Sequence, residues 1–144
     1  LALSAHDADP GRMADLPQRA RRAGVTVERV GTGQIKGRFD LVLCDVPCSG
    51  SGAWRRSPDG KWTLSRDRLD QLNADQEGIL HSACEHVTLG GFLAYVTCSV
   101  LCCENEDRIE GFLETVPGWD WVEKRRWPLA EGGDGFLCAI LRRV

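Results

Sequence analysis

The chain has 144 residues, of which 42% are hydrophobic and 27% charged, and its formal net charge is −3. That length and balance describe a globular chain with a modest core, and the net acidity excludes a generic polyanion binder, so nucleic-acid contact must come from local basic clusters. No apolar run approaches the about 20 residues of a membrane helix, the first residues lack the basic start of a secretion signal, and seven cysteines without such a signal point to a reducing, cytoplasmic compartment.

In chain order, residues 1–6 read as a short apolar strand ending at Asp7. The absence of an initiator Met and a start inside a strand imply a fragment. Asp9 is placed to cap a helix opened by Pro10 and ended by Gly24, with Pro17 kinking or shortening it. Residues 25–30 alternate like a half-buried strand. Residues 39–46, FDLVLCDV, form a near-continuous apolar run of the kind covered on both faces. A long loop follows to about Ser65. Leu69, Leu72, Gln76, Ile79, Leu80, Ala83 and Val87 then recur at helical steps, with Gly90 and Gly91 as the expected stop. Residues 92–96 are a buried strand, and Ile109, Phe112, Leu113 and Val116 line a shorter helix closed by Pro117 and Gly118. Two strands, 119–123 and 136–141, finish an α/β chain with a mostly parallel sheet. Such sheets bind ligands beyond the carboxyl ends of their strands.

Two motifs fall at those ends. In Asp45-Val46-Pro47-Cys48-Ser49-Gly50, a carboxylate closes a buried strand, where it needs a partner or a ligand, and small residues let a planar ligand approach the backbone. In Thr97-Cys98-Ser99, a cysteine at a strand end can have its thiol pKa lowered where a helix N-terminus or a basic side chain lies near it. One helix joins the two strands, so a right-handed crossover brings both cysteines and the carboxylate to one crevice. Arg55, Arg56, Lys61, Arg66 and Arg68 form one basic cluster, and Lys124, Arg125 and Arg126 a second. His81 and His86 read as surface or packing residues.

DVPCSGSG at 45–52, RRSPDGKW at 55–62, GGFLAYVTCSV at 90–100 and GDGF at 133–136 resemble the Sun-type (Fmu) RNA cytosine-5 methyltransferases, in particular those of small-subunit ribosomal RNA. The resemblance runs from about Asp7 to the end. It implies a Rossmann-like class I methyltransferase fold, S-adenosylmethionine as cofactor and RNA as partner, with no membrane association. By motif, Cys98 is the nucleophile that adds to carbon 6 of cytosine, and Cys48 is the second cysteine, which assists elimination. Asp45 holds the N3 and amine edge of the base and borders the cofactor. Asp7 accepts from the cofactor ribose, while Pro47, Lys61 and Arg55 contact substrate. The target base must be unstacked into a pocket.

The resemblance also defines what is missing. The family's first strand, first helix and cofactor glycine loop should precede Asp7, so residues 1–144 correspond to the C-terminal portion of a catalytic domain, completed by an N-terminal segment of the same protein. On that reading this portion alone is unstable or rearranged and binds cofactor poorly. No carboxylate stands at Gly31-Thr32-Gly33, where the family usually places an adenine contact. Three alternatives remain open at this point. One is a zinc site from Cys44, Cys48, Cys98 and Cys102, with Cys103 in reserve; the others are a non-catalytic RNA-binding or structural remnant of the fold, and an amine methyltransferase.

Overall fold

The computed structural model describes residues 1–129 and 133–144. It divides into two compact units, residues 1–37 and 38–144.

In the first unit, β1 (Ser4–Ala5) pairs in parallel with β2 (Glu28–Arg29). The expected single helix is split in two. Pro10–Met13 form a 3-10 turn whose cap, Asp9, accepts from the Gly11 amide, and α1 runs from Leu16 to Arg22 with Pro17 in its first turn. Proline has no amide to donate and tolerates only a helix start, so Pro17 restarts the helix instead of sitting inside one. At the other end, Val25 N–H donates to Ala20 and Gly24 N–H to Arg21, while Gly24 takes φ +69. These two reversed bonds satisfy orphan carbonyls and need a residue free to adopt positive φ.

The second unit is a four-stranded sheet in the order β3-β4-β6-β5, made from β3 (Phe39–Asp45), β4 (Val87–Thr97), β5 (Trp119–Trp127) and β6 (Phe136–Arg143). A short helix, α2 (Asp59–Thr63), lies in the loop after β3. The crossover helix α3 (Arg66–Cys84) joins β3 to β4, and α4 (Glu106–Thr115) precedes β5. Ser65 caps α3 by accepting from the Arg68 amide. Only β3–β4 is a parallel pair here; β6 runs antiparallel to both β4 and β5. Three of the four strands therefore run one way, as expected of a mostly parallel sheet, and β6 alone is reversed, because the short connection from β5 is too brief for a parallel crossover.

Two boundaries also move. Helix α3 stops at Cys84, and Val87 opens β4 instead of closing the helix. Gly90 and Gly91 therefore lie inside a strand. Phe39 pairs with Val87 and Leu41 with Phe92, so the extra residues of β4 bulge out, and Gly90 at φ +78 makes the bend.

Helices α3 and α4 cover one face of this sheet. Leu80, Ile109 and Phe112 from the helices pack with Cys44, Val46, Leu93, Tyr95, Leu137, Ala139 and Leu141. Side chains alternate along a strand, so Leu41, Leu43 and Asp45 point the other way. Leu41 is 58% and Leu43 62% exposed. The strand expected to be covered on both faces is covered on one.

Candidate active site

Strands β3 and β4 run side by side in one direction with Asp45 opposite Val96, so the chain leaves both at the same edge of the sheet. Cys48 and Cys98 follow those ends directly, and their Sγ atoms lie 3.4 Å apart. The crossover argument from sequence is met: fifty residues of chain separate two sulfurs within hydrogen-bond distance.

Backbone contacts fix the two exits against each other. Gly52 N–H donates to the Cys98 carbonyl at 2.9 Å, and Gly135 N–H donates to the Gly52 carbonyl at 2.9 Å. A Cβ on Gly52 would run into the Gly135 carbonyl and come within 2.9 Å of the Cys98 carbonyl oxygen. Glycine is therefore required where the DVPCSGSG and GDGF segments meet. Arg56 forms a forked ion pair with Asp134 of that same segment.

Beneath the thiols is a buried polar cluster. Glu104, 0% exposed, accepts from Ser49 N–H at 2.7 Å, Ser49 Oγ at 2.5 Å, Ser99 Oγ at 2.5 Å and Gln76 Nε2 at 3.2 Å. Gln76 Nε2 also donates to the Pro47 carbonyl at 2.9 Å. The Ser51 and Ser99 hydroxyls are 2.9 Å apart, and the amides of Val100 and Leu101 donate to them. Tyr95 Oη donates to the Glu104 carbonyl, Thr97 Oγ1 donates to Asn105 Oδ1, and Asn105 Nδ2 donates to the Ser99 carbonyl. Nearly every polar group near the two cysteines is paired, as burial requires.

The two thiols are electrically unequal. The hydrogen bond from the Cys48 thiol, opposed by partial burial and helped by a backbone hydrogen bond, draws Cys98 down to about 7, and the nearby charges of Asp45 and Glu104 push back up. The same hydrogen bond, with burial, raises Cys48. Of the pair, Cys98 is the thiol that ionises near neutral pH, while Cys48 beside it keeps its proton. Burial alone drives Cys44 up to about 12, which makes it inert.

The remaining expected residues are placed unevenly. Asp45 is exposed and its side chain takes no hydrogen bond among the described residues, contrary to the expectation of a buried strand end. Pro47 is exposed beside it. Arg55 and Lys61 are exposed on the segment after Cys48, where the Lys61 ammonium sits 5.6 Å from the Trp62 ring and Trp54 Nε1 donates to the Ser49 carbonyl. Asp7, half-buried in the first unit, accepts from the Asp9 amide at 2.8 Å. His81 packs edge-on against Phe112 and bonds the Glu77 carbonyl, a packing role. Among the described residues no three His, Cys, Asp or Glu side chains gather to hold a metal ion, and Cys44 points into the core, so the four-thiolate zinc alternative is not assembled.

Sequence reasoning missed Glu104, Asn105 and the serines as a unit. One signal was available: Gln76 interrupts the apolar stripe of α3, and a buried amide demands partners.

A family model described as 16S rRNA methyltransferase RsmB/F matches residues 2–142. Ribosomal RNA small subunit methyltransferase B of Enterobacter sp. (strain 638) is 37% identical over 156 residues, 97% of this chain and 36% of that protein. The protein of the same name from Klebsiella pneumoniae (strain 342) is 37% identical over 96% of this chain and 36% of its own. The chain thus spans about a third of the length of these relatives. Among solved structures, NSun6 from Pyrococcus horikoshii, determined with SFG, superposes with a TM-score of 0.85 at 22% identity, over 99% of this chain and 41% of that one. A methyltransferase homologue from Pyrococcus horikoshii gives 0.80 at 23% identity, over 99% and 53%. These two likenesses show the fold: Rossmann-like α/β.

Proposed function

The chain belongs to the family of 16S rRNA methyltransferases RsmB/F, and from that premise we propose that the protein methylates carbon 5 of a cytosine in small-subunit ribosomal RNA through a transient bond to Cys98, with S-adenosylmethionine as donor. The observation that carries the reading is the 3.4 Å approach of two thiols of opposite character at the carboxyl edge of the sheet.

Carbon 5 of cytosine is a weak nucleophile, whereas carbon 6 accepts a thiolate. The Cys98 sulfur donates an electron pair to carbon 6, the ring electrons shift toward N3, and the resulting enamine makes carbon 5 nucleophilic. Asp45, exposed at the same edge, is the group assigned to the N3 and amine side of the base. Cofactor chemistry at this site amounts to an electrophilic methyl on a sulfonium. Once carbon 5 is methylated, its proton leaves to a base, the carbon 5–carbon 6 double bond reforms and the carbon 6–sulfur bond breaks toward sulfur. Cys48 acts at this point: its S–H donates to the departing sulfur and stabilises it as a thiolate, through the same contact that lowers the Cys98 thiol in the free protein. Two cysteines with divided roles suit a reaction in which the same bond must form readily and break readily.

The residues present fit the cofactor. Asp7 has one oxygen on the Asp9 amide, which leaves the other lone pairs for a ribose hydroxyl. Pro47, Arg55 and Lys61 are assigned to substrate, the two cations as phosphate contacts that supply locally the charge the whole chain lacks. All seven cysteines are free, and among the described residues no helix is long and apolar enough to cross a membrane; we place the protein in the cytoplasm with its RNA, and assign the remaining cofactor contacts to an N-terminal segment.

The test is methyl transfer by the full-length protein to unmodified small-subunit RNA, with bisulfite mapping of the product. One protected cytosine that reverts in Cys98→Ser supports the reading. Methylation at a nitrogen or a ribose overturns it.

A further inference from the structure

The cysteines carry the proposed chemistry, yet the carboxylate with most hydrogen bonds among the described residues of this unit has no role in it. Glu104 is wholly buried, and no lysine or arginine bonds it among the described residues. A buried carboxylate is costly unless its lone pairs are filled, and here four donors fill them. Their origins are the telling feature. Ser49 directly follows Cys48, and Ser99 directly follows Cys98. Gln76, which holds the fourth position, also grips the carbonyl of Pro47, the residue before Cys48. One side chain thus collects the loop after β3, the loop after β4 and helix α3 at a single point.

We propose that Glu104 is the positioning residue that sets the contact between Cys48 and Cys98, by tying the residue after each cysteine to one carboxylate. This rests on the two-cysteine reading above and adds a part to it.

The directions of the hydrogen bonds follow from the acceptor. An ionised carboxylate only accepts, so both serine hydroxyls must donate to Glu104. Ser99 Oγ is then left to accept from Leu101 N–H and from Ser51 Oγ, which itself accepts from Val100 N–H. The network has one arrangement of its protons, and with it one arrangement of the two strand exits. An amide in place of the carboxylate would present an NH2 group to Ser49 and Ser99 or to the Ser49 amide and Gln76. The second orientation sets donor against donor, and the first forces both serine hydroxyls to turn from donating to accepting, which breaks the proton order they share with Ser51 and Leu101.

Charge and position act on Cys98 in opposite senses, which makes the proposal separable from plain electrostatics. The Glu104 charge pushes the Cys98 thiol up, whereas the Cys48 hydrogen bond, the largest influence, pulls it down. Losing only the charge would lower the Cys98 midpoint; losing the alignment of the thiols raises it.

The experiment uses the full-length enzyme with Glu104→Gln, read by steady-state kinetics on RNA and by the pH dependence of iodoacetamide alkylation at Cys98. The expected result is KM for RNA within about twofold, kcat reduced about 100-fold as for a misplaced reacting group, and an alkylation midpoint raised by about one pH unit. Glu104→Asp, which keeps the charge and shortens the reach, should fall between. A midpoint that is unchanged or lowered, with kcat near wild type, overturns the proposal. Where Glu104→Gln does not fold, Ser99→Ala removes one arm only and carries the same test: a raised midpoint supports the tie, an unchanged one overturns it. Cys98→Ser is run alongside. If it retains methylation, the two-cysteine reading fails whatever Glu104 does; if it is inactive while Glu104→Gln matches wild type, only the positioning role fails.

Discussion

Replacing Cys48 by alanine removes the interaction that contributes most to lowering the Cys98 thiol. With it, Cys98 sits at about 7; without it, burial and the charges of Asp45 and Glu104 raise the thiol against a backbone hydrogen bond that lowers it, around the ordinary value of 9.0. A return to about 9 would cut the thiolate fraction at pH 7 from about a half to about a hundredth, about 50-fold. A more basic thiolate is intrinsically more nucleophilic, and a Brønsted coefficient of about 0.4–0.5 over that rise returns about 8-fold. Alkylation of Cys98 at pH 7 should therefore slow by about 6-fold net. At pH 10, where both proteins carry the thiolate, the variant should instead react faster. The assay is iodoacetamide modification followed by peptide mass spectrometry at Cys98 between pH 5.5 and about 10, a span that brackets both midpoints. Crossing rate curves are the signature. A midpoint that stays near 7 in Cys48→Ala would refute the assignment of Cys48 as the donor to Cys98.

Gly52→Ala should destabilise the fold by about 1–3 kcal/mol, the range for overpacking, because the added carbon meets the carbonyls of Gly135 and Cys98; a melting temperature equal to wild type would contradict that contact. Mild oxidation with diamide should join Cys48 to Cys98, with sulfurs already 3.4 Å apart, and abolish methylation until dithiothreitol restores it; a disulfide mapped instead to Cys102 or Cys103 would count against the geometry. The exposed face carrying Leu41 and Leu43 should make residues 1–144, expressed alone, bind the dye ANS, with Leu43→Lys reducing the signal; no binding by the wild-type chain would show that this face is covered.

The pairing of the two thiols was legible because it depends on topology. A run ending in Asp45-Val46-Pro47-Cys48, an amphipathic helix and a second run ending in Thr97-Cys98-Ser99 can pack in one hand only. The fate of Leu41 and Leu43 was not legible, since an unbroken apolar run looks the same whether one face or two are covered. Gly90 and Gly91 misled because a glycine of positive φ ends a helix and bends a strand equally well. The orientation of β6 follows from the short span between residues 127 and 136, too brief for a parallel crossover, which the sequence did display. Glu104 was hidden more deeply. Nothing in the local pattern around it, with Glu106 and Asp107 close by, marks Glu104 as buried, and its burial arises only where three separate segments converge. Gln76 was the visible half of that arrangement.

The division of labour between the sulfurs is the centre of the account, and trapping tests it most directly. RNA bearing 5-fluorocytosine at the target cannot lose its carbon 5 substituent as a proton, so the carbon 6–sulfur bond persists once methylation has occurred. The full-length protein should give a gel-stable adduct that forms in Cys48→Ala and is absent in Cys98→Ser. An adduct that persists in Cys98→Ser and disappears in Cys48→Ala would reverse the two roles and contradict the account.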